Sequence, residues 1–257
     1  MSNIHNTIHP DRPSLWTIPE RQISAHAVAA KSKILTQRLI DISERFFDIR
    51  FATSLAAEDI VLTDAITKTN SKIKLFTLDT GRLHPETINL AKTVSDLYGI
   101  HIQTVAPSER DITAFIAEYG INGFYQGEAP KNACCAARKI KPLNAALLGA
   151  DAWLSGQRRE QSATRTTINF EEVDATRGIT KFNPLFDWTE IDLWSYIKHQ
   201  KLPIHPLHLK GYPSIGCEPC TRPVREGEDI RAGRWWWLHS NSKECGLHDN
   251  QLPISNE

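Results

Sequence analysis

The sequence predicts an α/β protein, a doubly wound, mostly parallel sheet followed by an irregular C-terminal segment. Three observations carry that expectation. Short apolar runs alternate with longer stretches of helical period between residues 48 and 156, the pattern of a parallel sheet covered by helices. Turn-forming residues close the runs. After residue 203, Pro, Gly, Cys and Trp displace all periodicity.

Each element has its own signal. Residues 1–20 are polar and proline-containing, and read as a loose tail. Residues 22–47 carry Ile23, Val28, Ile34, Leu35, Leu39, Ile42, Phe46 and Phe47 at near-helical spacing. DIRFAT (48–53) is a short strand, and Glu58 to Lys68 a helix. Ser71 to Leu78 is the next strand. A helix over 85–98 opens with Pro85, whose fixed φ suits a first helical position, and stops at Gly99. Ile100 to Val105 is a strand and 109–119 a helix. Residues 131–148 form a helix that Pro142 kinks by leaving the Arg138 carbonyl without its N–H. AWLSG (152–156) is a strand. Residues 157–183 are a basic loop and a pair of short strands. Thr189-x-x-Asp192 caps a helix reaching His199. The expected division is a tail (1–20), an α/β domain (21–202) and a C-terminal segment (203–257).

Composition narrows the function classes. The chain has 257 residues, 40% of them hydrophobic, enough for a sizeable core. Lys+Arg and Asp+Glu balance at 30 each, which argues against a dedicated nucleic-acid binder. No apolar stretch approaches membrane-spanning length, and the N-terminus has neither a basic nor an apolar leader region. A cytoplasmic protein is expected. Its five cysteines are then ligands or nucleophiles more readily than disulfide partners.

Four of those cysteines fall in pairs, Cys134-Cys135 and Cys217-x-x-Cys220. Two pairs suggest one metal site closed from two parts of the chain. Neighbours on a helix diverge by about 100°, which suits two corners of a cluster better than one small ion. Zinc and four unrelated buried thiols remain the alternatives. Cys245 is left over, in KECGLH (243–248). It is either an incidental terminal thiol or a nucleophile whose thiolate Lys243 and His248 favour.

Polar residues gather at the strand ends. Thr53-Ser54-Leu55-Ala56-Ala57-Glu58-Asp59 follows a strand and opens a helix, a place where N–H groups and hydroxyls can meet an oxyanion. Leu78-Asp79-Thr80-Gly81-Arg82 ends the next strand in the same way. Ser155-Gly156-Gln157-Arg158-Arg159-Glu160-Gln161-Ser162 and Arg165 follow the last strong strand, and arginine forks match phosphate and sulfate. Arg231 and Arg234 precede Trp235-Trp236-Trp237. Ligands of such sheets bind beyond the carboxyl ends of the strands. A solvated basic face and plain helix caps are the bland alternatives.

Taken together, eight motifs resemble the assimilatory sulfonucleotide reductases, in particular the iron–sulfur, thioredoxin-dependent branch acting on adenosine 5′-phosphosulfate. They are SLAAED (54–59), LDTGRLHPET (78–87), CCAARKIKPL (134–143), SGQRREQSATR (155–165), NPLFDWT (183–189), GCEPCTRP (216–223), GRWWW (233–237) and ECGLH (244–248). The resemblance covers about residues 45–248 and keeps the family's order. It implies an adenine nucleotide alpha-hydrolase-like fold with a nucleotide-binding α/β domain. It further implies a [4Fe–4S] cluster on Cys134, Cys135, Cys217 and Cys220, with Lys139 facing it and, as a substrate-binding residue, linking the cluster's charge to the substrate. The implied nucleotide site comprises Ser54, Leu55, Ala56, Glu58, Asp59, Leu78, Asp79, Thr80, Gly81, Arg82, Gly156, Arg158, Arg159, Gln161 and Arg165. Arg231 and Arg234 would approach the phosphosulfate, and Cys245 would be the catalytic cysteine.

The implied chemistry is attack of Cys245 on sulfur, release of AMP, and reduction of the S-sulfocysteine by thioredoxin. Self-association into a homo-oligomer is also expected. The rivals are a 3′-phosphoadenylyl-sulfate reductase, an ATP-dependent thiolating enzyme of the same fold, and an iron–sulfur redox sensor. The glycine-poor SLAAED loop speaks against the ATP user.

Overall fold

The computed structural model describes residues 13–69, 71–162 and 165–238. A long helix, α1 (Ala25–Arg45), precedes β1 (Ile49–Ala52), α2 (Ala57–Lys68), β2 (Lys74–Leu78), α3 (Pro85–Tyr98), β3 (Ile102–Val105) and α4 (Glu109–Tyr119). The chain continues through α5 (Glu128–Cys135), a π-helical turn (Ala136–Ile140) and α6 (Lys141–Leu147). It ends its regular part with β4 (Ala152–Leu154), β5 (Glu171–Asp174), β6 (Ile179–Phe182) and α7 (Glu190–Gln200).

The strands form one sheet in the order β3-β2-β1-β4-β6-β5. Every neighbouring pair is parallel except β5 with β6. Phe51 of β1 stands opposite Leu75 of β2 on one side and Leu154 of β4 on the other. The winding runs outward from β1 to β3, then returns past β1 to β4. That reversal opens a crevice beyond the carboxyl ends of β1 and β4, where such sheets bind ligands.

Alternation along the strands fills two cores. Phe51, Leu75 and Leu154 point to the side covered by α1, α2 and α7. Phe76 and Trp153 point to the other side and pack on Leu143 and Leu147 of α6. Helix α1 commits Val28, Leu35, Leu39 and Ile42 to the first core, one stripe at helical spacing. The punctuation residues act where expected. Pro85 is the first residue of α3, and Gly99 closes that helix at φ 63, a left-handed conformation open to glycine without steric cost.

Two expectations are corrected. The loose tail is already docked by residue 14: Leu15 bridges Arg225, and the Trp16 N–H donates to the Val224 carbonyl at 2.9 Å. The Trp16 ring lies against Trp194 and His208, and indole packing of this kind outweighs the polar composition around it. The single helix over 131–148 is in fact three pieces. Pro142 offers no N–H to the Arg138 carbonyl, and the Lys141 N–H reaches Ala136, five residues back. The missing bond is absorbed as a π turn.

From 203 to 238 regular structure shrinks to short 3-10 turns, Pro206–Lys210 and Glu218–Cys220, and to isolated bridges. Leu83 pairs with Cys217, and the Glu218 N–H donates to the Arg82 carbonyl at 2.8 Å. These bonds fasten the segment to the loop after β2. No helix among the described residues is long and apolar enough to cross a membrane.

Candidate functional site

A cavity of about 230 Å³ opens at the crevice between β1 and β4. The ends of β1, β2 and β4 form its base, the starts of α2 and α7 one side, and residues 213–216 and 230–234 another.

The start of α2 is built from a turn in which Leu55 has φ 62. The Ser54 N–H and hydroxyl both donate to Asp59 Oδ2, each at 2.6 Å. Asp59 is buried, and burial pushes its carboxyl up to about 7 against the Ser54 hydrogen bonds, with the charge of Glu58 adding to the rise. Gly156 makes this approach feasible, since a Cβ there would stand 2.2 Å from Asp59 Oδ1. In this structure these donors are engaged within the chain. Ser54 serves the chain's own carboxylate, and Glu58 and Asp59 already occupy the first turn that would attract an anion.

Arg158 is also committed within the protein. Its Nε and Nη2 donate to Glu58 Oε1 at 2.9 and 2.8 Å, and Nη1 donates to the Trp188 carbonyl. Burial raises the Glu58 carboxyl, but the Arg158 charge and hydrogen bonds from Gln161 and Arg158 outweigh it and hold it below its usual value. Arg159 is placed differently from Arg158. It lies outside the cavity lining, donating from Nε to the Ile168 carbonyl at 2.7 Å and stacking on Phe186. Arg165 and Gln161 do line the cavity and bond each other at 2.6 Å.

Carboxylates thus enter from α2 and α7, as Glu58, Asp59 and Glu190. Cations enter from the π turn and the C-terminal segment, as Lys139, Arg231 and Arg234. Arg234 donates from Nη1 to Ser214 Oγ and the Ile215 carbonyl, both at 3.2 Å, and its guanidinium lies 4.6 Å from the Trp235 ring centroid. Its Nε is buried with no partner among the described residues.

A second, smaller cavity adjoins the first. Cys134, Cys135, Cys217 and Cys220 line it, all buried, with Lys131, Arg138, Lys139 and Trp235. The π turn lets consecutive residues serve here: Arg138 lines this chamber alone, while Lys139 lines both. Thr80 Oγ1 lies 3.3 Å from Cys217 Sγ. Burial raises the Cys217 thiol, yet Lys139, Thr80, Arg234 and Arg138 bring it below its ordinary value. Burial dominates at Cys134, and pushes Cys220 up to about 12. The donor set fits a group carrying negative charge: soft thiols, three nearby cations, and an indole N–H on Trp235 with no protein acceptor among the described residues. Among those residues, no three Cys, His, Asp or Glu side chains gather as ligands of a single ion.

Residues 48–223 match the profile of a known family, described as the phosphoadenosine phosphosulfate reductase domain. The chain belongs to that family. An adenosine 5′-phosphosulfate reductase of Neisseria meningitidis serogroup A is 52% identical, over 92% of this chain and 98% of its own. One from Burkholderia cepacia is 51% identical, over 86% of this chain and 88% of its own. Among solved structures, a phosphoadenylyl-sulfate reductase from Candida auris in a phosphate complex superposes with a TM-score of 0.63 at 25% identity, covering 79% of this chain and all of that one. An FMN adenylyltransferase from Candida glabrata, at 12% identity and a TM-score of 0.56, shares the fold, that of the adenine nucleotide alpha-hydrolase-like enzymes.

In this member of the reductase family, the cavity lining includes Ser54, Ala56, Glu58, Asp59, Leu78, Thr80, Lys139, Gly156, Arg158, Gln161, Arg165, Arg231 and Arg234. Leu55, Asp79, Gly81 and Arg82 lie outside it. Asp79 closes its own turn by accepting the Gly81 N–H, and Arg82 reaches Asn122 and the cysteine chamber instead. Cys245 lies outside the described residues. Sequence reasoning missed Thr87, Trp194 and Ser214, which the cavity also exposes. Thr87 had a signal, as a hydroxyl in the first turn of a helix that follows a strand end.

Proposed function

We propose that this chain reduces adenosine 5′-phosphosulfate to sulfite and AMP, with the dithiol of thioredoxin as reductant. The observation that carries the reading is Lys139, which joins a cavity at the sheet's switch point to a chamber lined by four cysteines. The relatives at 51–52% identity, named as adenosine 5′-phosphosulfate reductases, support the same substrate.

Adenosine would enter beyond β1 and β4, and Lys139, Arg231 and Arg234 would offset charge on the phosphosulfate. The Cys245 thiolate, at the end of the C-terminal segment, attacks the sulfur. The sulfur–oxygen bond to phosphate breaks, and AMP leaves with that electron pair. The thioredoxin thiolate then attacks the Cys245 sulfur, and sulfite departs with the electrons of the sulfur–sulfur bond. The second thioredoxin thiol resolves the mixed disulfide and regenerates Cys245. The two electrons come from the dithiol. Cys134, Cys135, Cys217 and Cys220 would hold a [4Fe–4S] cluster, which supplies structure and local charge when bound. The setting would be cytoplasmic sulfate assimilation leading to cysteine.

The test measures sulfite from adenosine 5′-phosphosulfate and from its 3′-phosphorylated form, with thioredoxin, for the wild type and Cys245→Ser. The variant should retain nucleotide binding and iron but make no sulfite. Substrate without thioredoxin should add one sulfo group to Cys245. Turnover by the serine variant, or a sulfo group on another cysteine, defeats the assignment.

A further inference from the structure

We infer that Thr87 donates a hydrogen bond to the ligand of the main cavity, and that His205 is the positioning residue that fixes it as a donor. Thr87 stands in the first turn of α3, in the cavity wall and 5% exposed. His205 is fully buried behind it. The Leu207 N–H donates to His205 Nδ1 at 3.2 Å. A ring nitrogen that accepts an N–H carries no proton of its own, so the neutral imidazole holds its proton on Nε2. That nitrogen lies 2.8 Å from Thr87 Oγ1. With the tautomer set by Leu207, the imidazole donates and the hydroxyl oxygen accepts.

The Thr87 hydroxyl hydrogen then needs a different acceptor. Elsewhere in this fold, helical threonines satisfy it on their own helix: Thr63 donates to the Asp59 carbonyl and Thr93 to that of Asn89, each four residues back. Thr87 makes no such bond, and the residue four back, Leu83, precedes the helix. Among the described residues no protein atom accepts from it. The remaining direction is the cavity, so the acceptor is an oxygen or nitrogen atom of the bound molecule. Protonating His205 would place an N–H against the Leu207 N–H. Burial, with His208 and His84 adding, holds the ring down to about 4, so the relay stays set at neutral pH.

This inference rests on the cavity being the nucleotide site. Its test is equilibrium binding of adenosine 5′-phosphosulfate to the full chain carrying Cys245→Ser, which retains the ligand unreacted. Adding Thr87→Val should weaken binding about tenfold, as loss of one neutral hydrogen bond does. Thr87→Ser, which restores the hydroxyl, should bind within about twofold of the parent. Nitrogen-15 spectra of histidine-labelled protein should show the His205 proton on Nε2 and a bare Nδ1. Binding that ignores Thr87→Val, or a proton on Nδ1, overturns this inference alone. No binding by the parent overturns the nucleotide reading, and this inference falls with it.

Discussion

Arg158 and Glu58 form a pair whose side chains are only 3% and 13% exposed. Such a pair contributes little over apolar packing, but breaking it leaves a charge without compensation. Glu58→Gln should cost about 3–5 kcal/mol, read as a lower urea midpoint of the full chain. An unchanged midpoint would show that water or Glu160 already compensates the guanidinium. His205 sets a pH dependence of its own. Its ordinary value is 6.5 and its folded value about 4, because burial outweighs the pull of Glu86, and His208, His84 and Lys210 push the same way as burial. Between those values the unfolded chain binds the proton and the folded chain does not. The contribution is present above 6.5 and is lost as pH falls toward 4. Asp59 acts oppositely: raised from 3.8 to about 7, its contribution is present at low pH and is lost as pH rises through 7. Comparing wild type with His205→Gln removes the Asp59 slope. The variant should lose less stability between pH 7 and 4.5, and parallel curves would contradict the assignment.

At the scale of the element, helix starts determine what reaches the cavity. Thr189 Oγ1 accepts the Asp192 N–H at 3.1 Å, and Asp192 Oδ2 accepts the Thr189 N–H at 2.9 Å. Asp192 also pairs with Lys31 at 2.8 Å, tying the start of α7 to α1. This reciprocal cap orients the turn that carries Glu190, Leu193 and Trp194 into the cavity wall. Thr189→Ala should cost about 1 kcal/mol in thermal or urea unfolding. A wild-type midpoint would mean that the Lys31 pair alone anchors the turn. The π turn works in the same way on the other side of the crevice, letting the Cys134-Cys135 helix and the Lys139 side chain address adjoining cavities.

For the whole molecule, the C-terminal segment has little regular structure of its own, and besides its contacts with Leu15 and Trp16 it is attached at the cysteine chamber. Cys217 lies against Thr80, the Glu218 N–H donates to the Arg82 carbonyl at 2.8 Å, and the Tyr125 hydroxyl donates to the Pro219 carbonyl. If the four thiols share one cluster, closing it fastens residues 203–238 onto the sheet. Cys220→Ser should then lose iron and raise hydrogen exchange across that segment. Full iron content with unchanged exchange would contradict the shared-cluster reading.

The strand–helix alternation, the spans 85–98 and 109–119, and the Thr189 cap were legible in the sequence because their signals are local. A proline, a glycine or a capping hydroxyl acts on residues within one turn of itself. The pairing of cysteines was legible as spacing, and it pointed to one site closed from two parts of the chain; the bridge between Leu83 and Cys217 that brings the pairs into one chamber was not legible. Likewise, adjacent arginines gave no sign of which faces the crevice. Arg158 turns inward because Glu58, 100 residues earlier, receives it, whereas Arg159 finds Ile168 and Phe186. The local sequence at Ser54 gives no sign that Asp59 accepts both its N–H and its hydroxyl hydrogen. Thr87 and His205 are 118 residues apart, and no periodicity links them. Side-chain hydrogen bonds across such separations depend on chain packing, so only the tertiary structure decided them.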